Sequence, residues 1–373
     1  MRIAYILTSL KMGGAERQVL ALAERMQARG HDVRVFVLRF REEGECRTQL
    51  PVVYLNMNRN SLSGIDGYLR AAHALREFGP DAIHGNNFHG NLLARLLKFA
   101  CPSAAVVTVI HNIYEGGRLR MLAYRVTEPL STRNVAVCQA AADRFVREGV
   151  MPRRKLSVIS NGIDLAEFMP DAERRERVRA QLEAGDDFIW LAVGRVAPAK
   201  DYPNLLRAFA VASAAAPNAR LWIAGEAQRE HSLELAELCR QLKLTQTVRW
   251  LGLRRDIPAL LDAADGFVLA SAWEGMPLAL GEAMAMEKRV VATDAGGVRE
   301  MAGDCGTVVP VHDSAALARA MEAAMRKPAE ERQMEQAART RIAMHFNVET
   351  KAAEWESCYA AITRKHAAPP RIK

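Results

Sequence analysis

The sequence predicts an alternating α/β protein built from two doubly wound parallel sheets. Three observations carry that reading. The chain has 373 residues, enough for two domains at roughly 100–200 residues each. Short apolar runs alternate with amphipathic stretches from end to end, the pattern of successive strand–helix units. Half of the residues are hydrophobic and 25% are charged, which supplies a core and excludes a disordered chain.

The elements follow in order. In the first half, residues 3–7, 33–38, 52–55, 82–84, 105–110, 135–137 and 156–159 are short apolar runs and read as strands. Helical patterns fill most of the gaps, at 15–28, 67–78, 91–99 and 140–148. Over 166–187 the texture changes: charge is dense and apolar content low, so this segment is expected to connect the domains. A second series follows, with strands at 188–193, 221–224, 248–251, 267–269, 289–292 and 307–309. Its helices are expected at 204–215, 233–242, 280–287 and 315–325. Over 348–365, Val348, Ala352, Trp355, Tyr359 and Ile362 fall on one helical face, which must be buried. Residues 367–373 are polar and expected to fray. Paired sheets of this kind would leave a cleft lined by strand C-termini, where ligands bind.

Several classes are excluded. No run of about 18 uncharged apolar residues exists, so a membrane-spanning helix is not expected. The apolar start at 3–7 is too short for a signal-peptide core. Cys46, Cys101, Cys138, Cys239, Cys305 and Cys358 stand far apart with no Cys-x-x-Cys pair, which fits reduced thiols in a cytoplasm. The net charge of +8 is one-sided: residues 1–165 hold 23 Lys and Arg against 14 Asp and Glu, and the remainder is nearly balanced. The first half therefore either faces an anionic partner or carries scattered surface arginines. Nucleic acid is not expected, because no recognised module or basic–aromatic interleaving accompanies the charge.

Four constellations carry chemistry. Lys11-Met12-Gly13-Gly14-Ala15-Glu16-Arg17 follows the first strand; it is either an anion-binding loop at a helix start or a plain strand-to-helix turn. Gly194-Arg195 and Lys200-Asp201 place two cations after strand 188–193, where they either converge on a diphosphate or are surface charge. Ser271-Ala272-Trp273-Glu274-Gly275-Met276-Pro277-Leu278 leads into a helix carrying Glu282. Pro277 suits a first helical position, and the N–H groups near Met276 and Leu278 would meet phosphate. Glu274 and Glu282 then either accept hydrogen bonds from sugar hydroxyls or serve locally. Finally, His111-Asn112 ends strand 105–110 and is either a substrate contact or a structural histidine. Asp294-Ala295-Gly296-Gly297 forms a further glycine turn, and no Asp-x-Asp metal motif occurs.

Together these residues resemble the retaining glycosyltransferases of the GT-B fold, family four (glycosyl transferases group 1), including members of bacterial polysaccharide and lipopolysaccharide biosynthesis. The resemblance covers essentially the whole chain: Gly13-Gly14-Ala15-Glu16, Asn161-Gly162-Ile163-Asp164, Gly194-Arg195 with Lys200, the Glu274-x7-Glu282 pair and Asp294-Ala295-Gly296-Gly297. The segment from His84 to Arg95 also looks like members acting on lipid-linked or polysaccharide acceptors.

The resemblance implies two Rossmann-like domains: 1–165 for the acceptor, completed by helix 348–365 crossing back, and 188–347 for the nucleotide sugar. It implies that Arg195 and Lys200 hold the donor diphosphate in place of a metal, and that Glu282 binds the ribose. Glu274 would contact the donor sugar, with Gly275 and the backbone of Met276, Pro277 and Leu278 near sugar and phosphate. Gly14 would let a loop close over the diphosphate, His111 would touch the sugar near the reacting carbon, and Gly225 and Leu253 would flank the base. No cofactor is expected, and a UDP-sugar is preferred to GDP-mannose. Acceptor contacts are expected at Asn87 and His89. Arg118, Arg120 and Arg125, interleaved with Met121, Leu122 and Tyr124, form either an ordinary exposed helix or a surface for an anionic membrane. The expected activity is hexosyl or N-acetylhexosaminyl transfer to a saccharide, polyprenyl-diphosphate-linked, at the cytoplasmic face of the inner membrane. The alternatives are a soluble anionic acceptor (sugar phosphate, inositol phosphate or malate) and a non-catalytic nucleotide-sugar or membrane-binding module.

Overall fold

The computed structural model describes every residue except 12, 43, 58–60, 227–228, 329–331 and 368–373. Met12 of the first glycine motif and most of the tail expected to fray therefore lie outside the described residues. The chain divides into two compact units, Met1–Gly162 with Val348–Lys373, and Ile163–Asn347.

In the first unit the elements run β1 (Arg2–Leu7), α1 (Gly14–Ala28), β2 (Asp32–Val37), β3 (Val52–Tyr54), α2 (Ser61–Phe78), β4 (Ala82–Asn86), α3 (Asn87–Leu96), β5 (Ala105–Ile110), α4 (Arg118–Thr127), β6 (Arg133–Ala136), α5 (Gln139–Arg147) and β7 (Leu156–Val158). The second unit holds α6 (Ala172–Gln181), β8 (Phe188–Val193), α7 (Tyr202–Ala215), β9 (Ala219–Ala224), α8 (Arg229–Gln241), β10 (Val248–Gly252), α9 (Ile257–Ala263), β11 (Gly266–Leu269), α10 (Leu278–Ala285), β12 (Arg289–Thr293), α11 (Val298–Ala302), β13 (Thr307–Val309), α12 (Ser314–Arg326) and α13 (Gln333–His345). The last helix, α14 (Val348–Ala367), returns to the first unit.

Both sheets are parallel and doubly wound, as the alternation requires. The first has the order β3-β2-β1-β4-β5-β6-β7 and the second β10-β9-β8-β11-β12-β13. Their central strands are buried on both faces, which is why they read as continuous apolar runs; all six residues of β5 are buried. The order reverses at β1 in one sheet and at β8 in the other. Ligand sites in such sheets lie beyond the strand C-termini at the reversal. The glycine motif at 13–14 follows β1, and Arg195 and Lys200 follow β8.

Helix α14 belongs to the first sheet because its apolar face is built for it. Ala352, Trp355, Tyr359 and Ile362 are buried. The Tyr359 hydroxyl meets the Tyr5 hydroxyl at 3.1 Å and Nδ1 of His84 at 2.5 Å. On its polar side, Arg25 pairs with Glu349, and His31 and Arg29 both reach Glu356.

The charge-dense stretch expected as a connection contains α6, which packs on α9 in the second unit. Its charges account for that: Arg174 pairs with the buried carboxylate of Asp262, and Arg175 and Arg179 pair with Asp265. No described helix is long and apolar enough to cross a membrane.

Candidate functional site

In the second unit, the end of β8 is held by its neighbour. The Gly194 N–H donates to Ala224 O at 2.9 Å, and the Val196 N–H donates to Glu226 O at 2.8 Å. These two bonds fix the backbone on either side of Arg195, whose side chain is exposed. Gly225 makes the approach feasible: a Cβ there would stand 1.9 Å from the Gly194 oxygen. The Gly225 N–H in turn donates to Gly252 O at 2.8 Å, bringing the exposed Leu253 beside the same loop. Arg195, Gly225 and Leu253 are thus neighbours through the backbone.

Lys200 ends a short 3-10 turn, Pro198–Lys200, and Asp201 follows in the left-handed region at φ 43°, where its side chain caps α7. The Lys200 ammonium donates to Oε1 of Glu274 at 2.5 Å. Ser271, fully buried at the end of β11, donates its hydroxyl to the same oxygen at 2.7 Å. A backbone bond from Ala272 N to Ala199 O at 2.9 Å ties the two loops. Beneath them the Tyr202 hydroxyl donates to Gly194 O at 2.7 Å; burial, together with the charge of Glu274, holds that phenol well above its ordinary pKa.

The start of α10 departs from expectation. Pro277 is not the first helical residue: it sits at φ −75° and ψ 108°, extended, and α10 begins at Leu278, two residues earlier than the predicted 280. Proline also has no N–H, so only its carbonyl contributes, accepting from Leu280 N at 3.2 Å. The donors available at this helix start are those of Leu278 and Ala279, with no side chain capping them. Gly275 accepts from Gly297 N at 2.8 Å, so the two glycine motifs adjoin. Met276 and Glu282 are buried, Glu282 in the second turn of α10.

In the first unit, Gly13 is the N-cap of α1 and Gly14 its first residue. Glu16, on that first turn, accepts from Asn87 Nδ2 at 3.4 Å, joining the glycine motif to the end of β4. Its neighbour Asn86 accepts from Nε2 of His111 at 3.0 Å, which places the ring proton on Nε2. Burial pushes the His111 imidazole down to about 4, so it is neutral, and Nδ1 has no partner among the described residues. A cavity of about 30 Å³ lies beside it, lined by His84, Asn86, His111, Ser160, Asn161 and Lys351 among others.

His89 is exposed on α3, its ring 5.2 Å from Phe88. Arg120 lies over that Phe88 ring at 4.8 Å and donates to Glu115 O, so it is committed to its own fold. Arg118 and Arg125 are exposed on α4. Leu119, Leu122 and Val126 are exposed too, at 83%, 56% and 69%, spaced by three and four along one face.

Sequence reasoning gave no role to Ser271, Tyr202, Asn86 or Glu115. Ser271 carried a signal, a hydroxyl three residues before Glu274 at a strand end. The others act through partners, four to 25 residues away, that no motif links to them.

Two family models match. "Glycosyltransferase Family 4" covers residues 12–167, and "Glycosyl transferases group 1" covers 173–341. The chain is 27% identical over 215 residues to the Escherichia coli UDP-Gal:alpha-D-GlcNAc-diphosphoundecaprenol alpha-1,3-galactosyltransferase, covering 54% of this chain and 55% of that one. It is 31% identical over 250 residues to the D-inositol 3-phosphate glycosyltransferase of Streptomyces avermitilis, covering 63% and 53%. It therefore spans about half the length of each of these relatives. The solved structure of Anabaena Alr3699/HepE with UDP and glucose superposes with a TM-score of 0.87 at 22% identity, covering 97% of this chain and 100% of that one. The fold is that of the GT-B proteins, and the chain belongs to the family four glycosyltransferases, which transfer sugars from nucleotide-sugar donors.

Proposed function

We propose that this glycosyltransferase moves a hexosyl or N-acetylhexosaminyl group from a UDP-sugar to a hydroxyl of a lipid-linked saccharide, with retention of anomeric configuration. One observation carries the donor half: Lys200, Glu274 and Ser271 meet at the strand reversal of the second sheet, beside the exposed Arg195. Arg195 and Lys200 neutralise the diphosphate, and the Leu278 and Ala279 N–H groups face its developing charge. Lys200 and Ser271 both occupy Oε1 of Glu274, so Oε2 is the oxygen offered to a sugar hydroxyl. Glu282 binds the ribose, Gly225 and Leu253 flank the base, and Gly14 and His111 serve the donor from the first unit.

Departure of the phosphate builds positive charge on the anomeric carbon. The acceptor hydroxyl attacks the same face, and its proton passes to the departing phosphate oxygen, so no carboxylate nucleophile is required. Two cations do the work that a metal does elsewhere, and activity is expected to survive chelation by EDTA.

The acceptor half rests on α4, whose apolar stripe Leu119, Leu122 and Val126 lies among Arg118 and Arg125, chemistry suited to an anionic lipid surface. The Escherichia coli relative is named for a UDP-sugar donor and a diphosphoundecaprenol acceptor, which supports this reading. A soluble anionic acceptor is the second reading, favoured by the basic excess of the first half and by the inositol-phosphate relative.

A thermal-shift screen of nucleotide sugars tests the donor, since a ligand held only by the folded state raises the melting temperature. A UDP-sugar should give the largest shift; a larger one with GDP-mannose, or none with any, refutes the donor assignment. The anomeric configuration of the product, read by NMR, tests retention.

A further inference from the structure

The loop between β5 and α4 is closed into a ring of hydrogen bonds by side chains the reaction above does not use. Asn91, buried on α3, holds both backbone groups of Val109: its Nδ2 donates to Val109 O at 2.8 Å, and its Oδ1 accepts from Val109 N at 3.0 Å. The same Nδ2 donates to the Tyr124 hydroxyl at 3.0 Å. Tyr124 donates that hydroxyl to Oε2 of Glu115, and Oε1 of Glu115 accepts from the backbone N–H of His111 at 3.2 Å. A single residue, Ile110, links His111 back to Val109, and the ring is complete.

From this geometry we infer that Glu115 is a positioning residue for His111, setting the imidazole and the start of α4 through one carboxylate. The inference rests on the reading that His111 meets the donor sugar.

The carboxylate serves both neighbours only when ionised, because both offer it a proton. Burial pushes Glu115 up to about 7, against the pull of Tyr124, His111 N–H, Arg120 and Arg95. The charged and titratable groups around it are Arg95 on α3, Tyr124 and Arg120 on α4, His111 on its own loop, His84 on β4 beyond, and Arg144 on α5, bound to Ile113 O at 2.8 Å. As pH rises through about 7 the ring closes; below it the carboxyl keeps its own proton and one donor is left over.

The test uses the full chain, the variants Glu115→Gln and Tyr124→Phe, and two readouts across this pH range. The first is UDP release from UDP-glucose, the second amide exchange of segment 111–117 corrected for its intrinsic pH dependence. In the wild type the rate should rise to a plateau through about pH 7, and exchange should show a step over the same range. Glu115→Gln should lose the pH step in both, run about tenfold slower at the plateau and keep its KM for donor within a few fold. Tyr124→Phe, which removes one donor, should move the step to higher pH. A Glu115→Gln enzyme with the wild-type profile overturns the inference, as does altered exchange without any change in rate. If that variant does not fold, an unmoved step in Tyr124→Phe overturns it. Full activity in His111→Ala would refute instead the role given to His111. The exchange measurement needs no substrate and reports on the ring separately from the role of His111.

Discussion

The Lys200 ammonium stands 2.5 Å from Oε1 of Glu274, and Ser271 donates to the same oxygen at 2.7 Å. One carboxylate oxygen thus ties a residue after β8 to the loop after β11. On the proposed function, Lys200→Ala removes a cation from the departing diphosphate and leaves Oε1 of Glu274 to Ser271 alone; Glu274→Gln keeps the shape and removes the charge. Each should lower turnover by about a hundredfold or more. Cooperative unfolding of Glu274→Gln should be retained. Near-normal UDP release from both purified variants would contradict the assignment.

Gly225→Ala tests how Arg195 is held. The added Cβ would meet the Gly194 oxygen at 1.9 Å and its carbon at 2.7 Å, both backbone. Strand ends β8 and β9 must part, weakening the bonds on either side of Arg195. The expected cost is about 1–3 kcal/mol of stability, together with weaker UDP binding in a calorimetric titration. Unchanged melting and unchanged UDP affinity would show that the strand ends yield freely.

Acid should destabilise the first unit through its buried histidines. Burial lowers His84 to about 3 and His111 to about 4, from an ordinary 6.5. Below that ordinary value the unfolded chain takes protons that the native imidazoles refuse. Their contribution is present above 6.5 and falls away as pH drops toward 4 and 3. Glu115 acts in the opposite sense: its native carboxyl keeps a proton up to about 7, so its contribution is lost as pH rises through that value. Melting temperature should therefore fall less between about pH 7 and about pH 5 in His84→Gln than in the wild type. Parallel pH curves would exclude the histidine as the source.

Flotation with lipid vesicles addresses α4. Leu119 is 83% exposed, and burying it in a lipid surface is worth about 1.5–3 kcal/mol. The wild type should rise with anionic vesicles, less so as salt screens Arg118 and Arg125, and Leu119→Asp should stay behind. No flotation of the wild type would remove the membrane from the proposal and leave the soluble anionic acceptor.

The strands were legible because parallel strands buried on both faces are written as unbroken apolar runs, as in β5 and β8. Helix α6 was not, since its partners are charges: Arg174 and Arg175 gain their meaning only beside Asp262 and Asp265, nearly ninety residues on. The start of α10 was misplaced because a proline suits both the first helical residue and the one before it, and only ψ separates them. Glu274 and Lys200 were recognisable by spacing, but their mutual bond was not. Glu115 stood in a loop with no motif, and its importance lies in contacts with Tyr124 and the His111 backbone that only folding creates.

The return of α14 has a bearing on how the protein is made. Tyr5 is made 354 residues before Tyr359, the tyrosine that satisfies its hydroxyl. Until residues 355–362 have been made, one face of the first sheet lacks Trp355, Tyr359 and Ile362. Residues 163–347, by contrast, form a contiguous unit that has its whole sequence available earlier. Between these two units synthesis therefore runs against the usual vectorial order: the one begun before the other is completed after it, and its uncovered face is the one a nascent-chain chaperone would meet.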